Sequence, residues 1–367
     1  MLTKGLDKVK LAPEVAPRAA RAGRAIGGLK YDWVMAVLVF WLVGGVHVDG
    51  WAHSHVPGLE TFFTPWHALF YTGLLAIGSF LVATLVGNHL RGYAWTRAIP
   101  AGYGLSLAGV IVFTLGGIGD MVWHTVFGIE VSVEALLSPS HLTLATGGVL
   151  IASGPLRAAW LRGGKEASLY KLLPMLISAT MLLSIFTFFT VYGSLFATTW
   201  PAANRQVYTR QLMEFNVSIG LTSLLLQSGL LMGLTLLLMR RWQLPFGSLS
   251  LLFAVNTGMV TFMRDKQLST GVFALVLVGL VTGLVADLFI RQFQPSSRRR
   301  TAFRVFATVI PALLYGLYFL AVLLSGGIWW TTAVWTGSIF LAGAVGLMIS
   351  YVALPPRFPA EAEAELN

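Results

Sequence analysis

The chain has 367 residues, of which 56% are hydrophobic and 11% are charged, and its mean hydropathy is +0.74. Soluble domains carry roughly 25% charged residues, so the composition excludes an ordinary soluble protein and predicts an all-α, polytopic integral membrane protein in a lipid bilayer. Cysteine is absent, which excludes disulfides and thiolate-held clusters, and the net charge of +10 collects in particular loops, which indicates membrane topology and not nucleic-acid binding.

The first 31 residues form a basic segment with seven Lys or Arg and no apolar core, which predicts a cytoplasmic arm and not a secretory signal. About ten transmembrane helices are predicted next, because ten apolar stretches approach the roughly 20 residues that a helix needs to cross a bilayer. They span about residues 32–49, 66–88, 99–120, 140–160, 171–194, 214–239, 244–263, 269–290, 303–324 and 328–350. Residues 354–367 form a short acidic tail.

Basic residues are unevenly distributed between the loops. They follow the second, fourth, sixth and eighth apolar stretches, whereas the loops 50–64 and 121–138 contain neither Lys nor Arg. Because cytoplasmic loops carry the excess of Lys and Arg, we predict that both termini are cytoplasmic and that these two loops face outward. We expect a multi-pass protein of the plasma (inner) membrane, with a four-helix region at 32–161 and a six-helix region at 162–353.

Two motifs recur at the outward ends of the first four predicted helices. The segments DGWAH (Asp49 to His53) and DMVWH (Asp120 to His124) each place an Asp and a His four residues apart, on one face of a helix. Each is followed by Thr-Pro-x-His or Ser-Pro-x-His, which is typical of a helix start with a hydroxyl N-cap and a proline in the first position. The pattern predicts two repeated helical hairpins, each with one Asp and two His at its outward end.

One carboxylate and two imidazoles form a usual set of ligands for a divalent or copper ion. The predicted metal ligands are Asp49, His53, His67, Asp120, His124 and His141. Two acids at matching positions of the loops, Glu60 and Glu134, are predicted to orient these ligands or to bridge ions. His47 and His55 have no counterpart in the second hairpin, so whether they bind metal stays open at this point.

The combination of Asp-x-x-x-His with Thr-Pro-x-His or Ser-Pro-x-His resembles the C subunit of particulate methane and ammonia monooxygenases, over about residues 33–150. The resemblance implies two neighbouring copper sites, one in DGWAH and FTPWH and the other in DMVWH and SPSH, together with other membrane subunits and an external electron donor. The chain departs from the family at Asp120, where the family has Asn, and in the six later helices. Copper is therefore the expected metal, and zinc and iron are the other ions that such ligands suit.

Several functions use such a site. The leading hypothesis is a copper-dependent membrane monooxygenase subunit, an oxidoreductase that acts on a small apolar substrate at the outer face, although no catalytic residue is assigned. A metal or small-solute transporter is the alternative, but transporters bind near the middle of the membrane and not at one face. A non-catalytic metal-binding subunit and a bis-histidine haem protein remain, and the paired Asp has no role at a haem.

Two acids outside the hairpins also attract attention. Glu214, at the outward end of the sixth predicted helix, is expected either to reach the metal ligands or to pair with a neighbouring arginine. Asp287, at the inward end of the eighth, is expected to form a local ion pair with Arg291.

Overall fold

The structure is a computed structural model that describes residues 23–56, 62–128, 133–162, 168–263 and 270–356. These residues are helical apart from their connections, where an isolated β-bridge pairs Ala202 with Ile328. The predicted all-α, polytopic membrane fold is therefore confirmed. The basic arm up to residue 22 and the acidic tail from residue 357 lie outside the described residues.

The helices follow one another with short connections. They are α1 (Gly28–His55), α2 (Pro65–Leu90), α3 (Trp95–Ala98), α4 (Gly104–Phe127), α5 (Glu134–Leu137), α6 (Pro139–Ala152), α7 (Gly154–Arg162), α8 (Leu169–Phe189), α9 (Leu195–Thr198), α10 (Arg210–Arg241), α11 (Ser248–Phe262), α12 (Thr270–Phe293), α13 (Arg300–Leu324) and α14 (Thr332–Ala353). A 3₁₀ turn at Ala203–Arg205 lies between α9 and α10.

Nine segments within the described residues are long and apolar enough to cross a membrane. The tenth predicted span, 244–263, corresponds to α11, which has only 15 residues. At 1.5 Å per residue α11 is about 22 Å long, shorter than the roughly 30 Å hydrocarbon core of a bilayer. The predicted number of about ten helices is thus met by nine full spans and one short helix.

The fourth predicted span is divided into α6 and α7 at Ser153, because Pro155 has no N–H to continue the helical hydrogen bonds. Side chains of neighbouring helices bind the carbonyl groups at this break. Ser178 of α8 donates to the carbonyl oxygen of Ala152, and Ser106 of α4 donates to that of Ile151. In a bilayer such partners are required, since no water is present to replace them.

Small residues let the two helices of each hairpin approach closely. In the first hairpin, a Cβ on Gly45 would lie 2.9 Å from the Cα of Phe70. In the second, a Cβ on Gly147 would lie 2.6 Å from the backbone nitrogen of Phe113. Close helix packing through glycine is common in membranes, where van der Waals contact drives helix association. These contacts hold α1 against α2, and α4 against α6.

Buried apolar side chains form two clusters that share α8. One cluster joins α8 to the first four spans through Met181, Leu182 and Ile185. The other joins α8 to the later helices through Met175, Leu176 and further side chains of the same helix. The boundary between the four-helix and six-helix regions stays a prediction, but α8 packs on both sides of it.

A buried acid holds three helices together at the end of α1 that is distant from Asp49. Asp32 is 1% exposed, forms an ion pair with Arg162 of α7 and accepts a hydrogen bond of 2.6 Å from the hydroxyl of Tyr103, which precedes α4. An ionised side chain inside a membrane is costly unless it is paired. The pair therefore fixes the distant ends of α1, α4 and α7 together.

The expectation for Asp287 was wrong. Its carboxylate accepts hydrogen bonds of 3.0 Å from the backbone N–H groups of Gly247, Leu249 and Ser250, and one of 2.6 Å from the hydroxyl of Ser250. These N–H groups lie at the start of α11, where the first turn has no helical acceptors. Asp287 thus caps a neighbouring helix from α12, because a buried carboxylate is stabilised more by several N–H donors than by one solvated arginine.

We expect Asp287→Ala to lower the free energy of unfolding by about 3 kcal/mol, because three backbone N–H groups, two of them buried, lose a charged acceptor. Unfolding by sodium dodecyl sulfate in mixed micelles, followed by circular dichroism, measures this change. Glu214→Ala is the matched control, since Glu214 is exposed and pairs with an exposed Arg210, so that its loss should change stability by less than about 0.5 kcal/mol. Equal effects of the two substitutions would contradict the capping role.

Candidate metal centre

Two helix starts place one histidine each at the same end of the two hairpins. Thr64 precedes α2, and its side-chain oxygen accepts a hydrogen bond from the backbone N–H of His67. Ser138 precedes α6 and accepts in the same way from the backbone N–H of His141. The N-caps predicted from the sequence are confirmed, with a proline in the first helical turn in both cases.

The same capping hydroxyls also contact the imidazole rings. The side-chain oxygen of Thr64 lies 2.8 Å from Nδ1 of His67, and that of Ser138 lies 2.7 Å from Nδ1 of His141. One residue therefore fixes both the start of the helix and the orientation of the histidine three positions later. At His141 the contact uses Nδ1 while Nε2 faces Asp120, the arrangement usual for a histidine ligand, whereas at His67 the same Nδ1 also faces Asp49.

The first group consists of Asp49, His53 and His67, and one ligand atom from each lies within 4.8 Å of the others. Nε2 of His53 is 3.6 Å from Oδ2 of Asp49, and Nδ1 of His67 is 3.6 Å from Oδ1. Asp49 and His53 belong to the last turns of α1, four residues apart, so they share a helix face. Oδ1 of Asp49 is buried and accepts no hydrogen bond from the described residues.

The second group consists of Asp120, His124 and His141, with ligand atoms again within 4.8 Å of one another. Nε2 of His124 is 3.5 Å and Nε2 of His141 is 3.4 Å from the same oxygen, Oδ1 of Asp120. Nδ1–H of His124 donates to the carbonyl oxygen of Gly128 at 3.2 Å. The hydrogen on Nδ1 leaves the Nε2 lone pair of His124 directed to the centre of the group.

The distances between imidazole nitrogens and carboxylate oxygens suit an intervening metal ion better than a direct hydrogen bond. Ordinary N–H···O hydrogen bonds measure 2.7–3.2 Å between heavy atoms, which is shorter than all four nitrogen–oxygen distances. A tetrahedral ion with bonds of roughly 2.0–2.1 Å would hold two ligand atoms about 3.3–3.4 Å apart. The donor sets and their spacing therefore fit a small cation at each group, and the oxygen of Asp49 without a hydrogen bond among the described residues supports this at the first.

The two groups differ in burial and in support. In the second group the side chains of Asp120 and His124 are 1% and 5% exposed, whereas Asp49 and His53 of the first are 14% and 29% exposed. The hydroxyl of Ser140 donates to Oδ1 of Asp120 at 2.8 Å. The corresponding position of the first hairpin holds a tryptophan. The second group is therefore the more rigidly prepared of the two.

Both groups line one cavity of about 380 Å³, and all six predicted ligands belong to its wall. The remaining wall is largely apolar and includes Leu42, Val43 and Phe113 from the hairpins. Leu42 lies eleven residues before His53 on α1, so the cavity extends about 16 Å along this helix into the apolar interior. Small-molecule sites have this form, an apolar cleft with a few placed polar groups.

The sequence interpretation missed the residues that close this cavity from the other half of the chain. Ile185 and Phe188 of α8, and Met263 after α11, complete its wall. A Cβ on Gly50 would lie 2.7 Å from the ring of Phe188 and 2.9 Å from Met263, so these side chains reach the ligand end of α1. The only sequence signal was the even apolar character of α8, which is typical of a helix buried on all sides.

The two histidines whose role was open behave differently. His47 is 3% exposed and lines the cavity, and its Nδ1–H donates to the carbonyl oxygen of Val43 at 2.9 Å. His55 stacks on Trp51 and donates from Nδ1 to the carbonyl oxygen of the same residue. Neither belongs to the two groups of three ligands.

The acids predicted to assist the ligands are not placed by the structure. Glu60 lies outside the described residues, and Glu134 begins α5 with a side chain that is not described. Their roles stay predictions. Glu214 pairs with Arg210 at 2.8 Å, and both side chains are exposed, so the arginine-pair alternative is the one that holds.

Comparisons of the chain with family models, with curated proteins and with solved structures find no match.

We expect Ser140→Ala to weaken metal binding at the second group by roughly 10-fold, because Asp120 loses the donor that orients it. Competition of the purified protein with a chelator of known affinity measures both sites, and the first group should keep its affinity. Ser153→Ala, at the α6–α7 break, is the matched control and should change neither. Unchanged affinity at both groups in Ser140→Ala would contradict this role.

Proposed function

We propose that this chain is a copper-binding subunit of a membrane monooxygenase, which oxidises a small apolar substrate with dioxygen at the outer face of the plasma (inner) membrane. One observation carries the proposal: two groups of metal-ligating side chains line a single cavity whose remaining wall is largely apolar. The resemblance of the two motifs to the C subunit of particulate methane and ammonia monooxygenases supports the same conclusion.

Copper is the metal that we assign to the groups. Sites with nitrogen and oxygen ligands bind copper more tightly than the other divalent first-row ions. Each group offers two imidazoles and one carboxylate, and no thiolate is present in the chain. Zinc and iron suit the same ligands, so the identity of the metal is decided by direct analysis.

The residues of the chain would divide the work between binding and shielding. The imidazoles and carboxylates would hold the ions. The hydroxyls of Thr64 and Ser138 orient two of the imidazoles, and that of Ser140 orients the carboxylate of Asp120. Copper, when bound, supplies the activation of dioxygen. The apolar wall admits a substrate from the lipid and excludes water, which preserves the strength of the polar interactions inside.

The stoichiometry of a monooxygenase reaction determines how many electrons and protons a partner has to supply. One atom of dioxygen enters a C–H bond as a hydroxyl group and the other leaves as water, which requires two electrons and two protons. No group in the chain is a natural source of these electrons, so an external donor and further membrane subunits belong to the proposal.

A metal or small-solute transporter is the second candidate, and the interruption between α6 and α7 favours it, because transporters bind substrates at broken helices. The break at Ser153 is, however, twelve residues and about 18 Å from His141. Its carbonyl groups are already bound by Ser106 and Ser178. A non-catalytic subunit would use the same metal groups without turnover.

Metal analysis of the purified protein tests the proposal first. We expect one or two copper ions per chain, with the loss of one site in Asp49→Ala/His53→Ala and of the other in Asp120→Ala/His124→Ala. His89→Ala is the matched control, since His89 stacks on Trp95 at the opposite end of α2 and should keep the metal content.

Turnover is tested with the assembled membrane complex and ¹⁸O-labelled dioxygen. We expect one labelled oxygen atom in the hydroxylated product and its loss in both double variants. Tightly bound zinc, or no bound metal in the wild type, would contradict the proposal and favour transport or a structural role. Copper without incorporation of label would favour the non-catalytic subunit.

A further inference from the structure

His47 belongs to the wall of the cavity and carries a spare hydrogen-bond acceptor. Its ring is 3% exposed and lies among the residues that line the cavity. A carbonyl oxygen can only accept, so the contact of 2.9 Å with Val43 fixes the hydrogen of the neutral imidazole on Nδ1. Nε2 then carries a lone pair, and this atom is buried with no hydrogen-bond partner among the described residues.

An unpartnered buried acceptor is unusual. Most buried polar atoms in proteins have a partner, and each exception calls for a water, an ion or a ligand. The surroundings of His47 are apolar, with the ring of Phe188 in edge contact at 5.1 Å between centroids. The group nearest along α1 is Asp49, but two residues along a helix correspond to about 200° of rotation, so the two side chains leave the helix on different sides.

The depth of His47 separates it from the metal ligands. It precedes His53 by six residues on α1, which corresponds to about 9 Å towards the apolar interior. Leu42 and Val43, one to two turns further along, continue the wall with apolar side chains. A guest that fills this part of the cavity would therefore meet one acceptor and otherwise apolar atoms.

We propose that this cavity binds a short-chain alcohol, with the hydroxyl group donating to Nε2 of His47 and the alkyl chain lying against the apolar wall. The inference rests on the proposed function for the source of the alcohol, since insertion of oxygen into a C–H bond yields a hydroxyl group. An alkane substrate has no donor, so His47 distinguishes the product from the substrate. His47 is a binding residue here and takes no part in holding the ions.

The test compares two probes on the full chain in lipid nanodiscs, freed of metal by chelation. The probes are 3,3,3-trifluoropropan-1-ol and its methyl ether, which has a similar shape and no donor, and ¹⁹F NMR titration gives both dissociation constants. We expect the wild type to prefer the alcohol by 3- to 10-fold, the range of one neutral hydrogen bond. The partition of each probe into the lipid is measured with empty nanodiscs and corrected for, so that the two dissociation constants of one protein can be compared.

The variants are chosen to isolate the acceptor. His47→Leu should bring the ratio of the two dissociation constants to about 1, while His47→Gln, which keeps an acceptor oxygen, should retain part of the preference. His55→Leu is the matched control on the same helix and should behave as the wild type. Circular dichroism checks that each variant is folded.

Two results would overturn the inference. A wild type that binds both probes equally would mean that water alone satisfies Nε2, and this result needs no variant. An unchanged preference in His47→Leu would place the hydrogen bond elsewhere. The probes are titrated without metal, so this test is separate from that of the proposed function. A protein that lacks copper but prefers the alcohol through His47 contradicts the proposed function only. Copper-dependent turnover without the preference contradicts this inference only.

Discussion

The hydrogen bond from a histidine backbone N–H to a capping hydroxyl is the interaction on which the geometry of the candidate metal centre depends. A membrane leaves few places for polar backbone atoms, and the first turn of a helix is one of them. Thr64 and Ser138 satisfy that turn and at the same time contact the imidazoles of His67 and His141. The positions of His67 and His141 therefore follow from the need to cap a helix in lipid, and both hairpins meet that need in the same way.

Buried carboxylates serve three different purposes in this molecule. Asp32 joins helix ends through Arg162 and Tyr103, Asp287 caps α11, and Asp49 and Asp120 face pairs of histidines. The first two have their charge satisfied by donors of the chain. Oxygens of Asp49 and Asp120 instead lie 3.4–3.6 Å from imidazole nitrogens, a spacing that suits an ion between them.

Local signals made much of the site predictable. The four-residue spacing of Asp49 and His53 and the Thr-Pro start before His67 act within one or two turns, and the hairpin brings them together whatever the rest of the chain does. The transmembrane helices were predictable for the same reason, because the apolar character of each stretch is also a local property of the sequence. The division of the fourth span had its own signal in Pro155, but uniform hydropathy concealed it.

Long-range packing was not predictable in the same way. Asp287 and Arg291 are four residues apart, which favoured an ion pair, but the N–H groups that Asp287 binds lie on a helix some 40 residues earlier. The contribution of Phe188 and Met263 to the cavity depends on how α8 lies between two clusters, and an evenly apolar helix does not reveal which side faces a cavity.

The position of α8 also sets an order of events during biosynthesis. All six predicted ligands have been synthesised once His141 is made, but the wall of their cavity is completed only with Phe188 and Met263. Until the later helices insert and pack, the two groups of ligands stand open towards lipid and water on one side. A metal ion acquired in that interval would be held by ligands alone, whereas one acquired afterwards would enter a cavity already walled by the later helices. The surroundings that an ion would meet at these six side chains therefore change when the second half of the chain is complete.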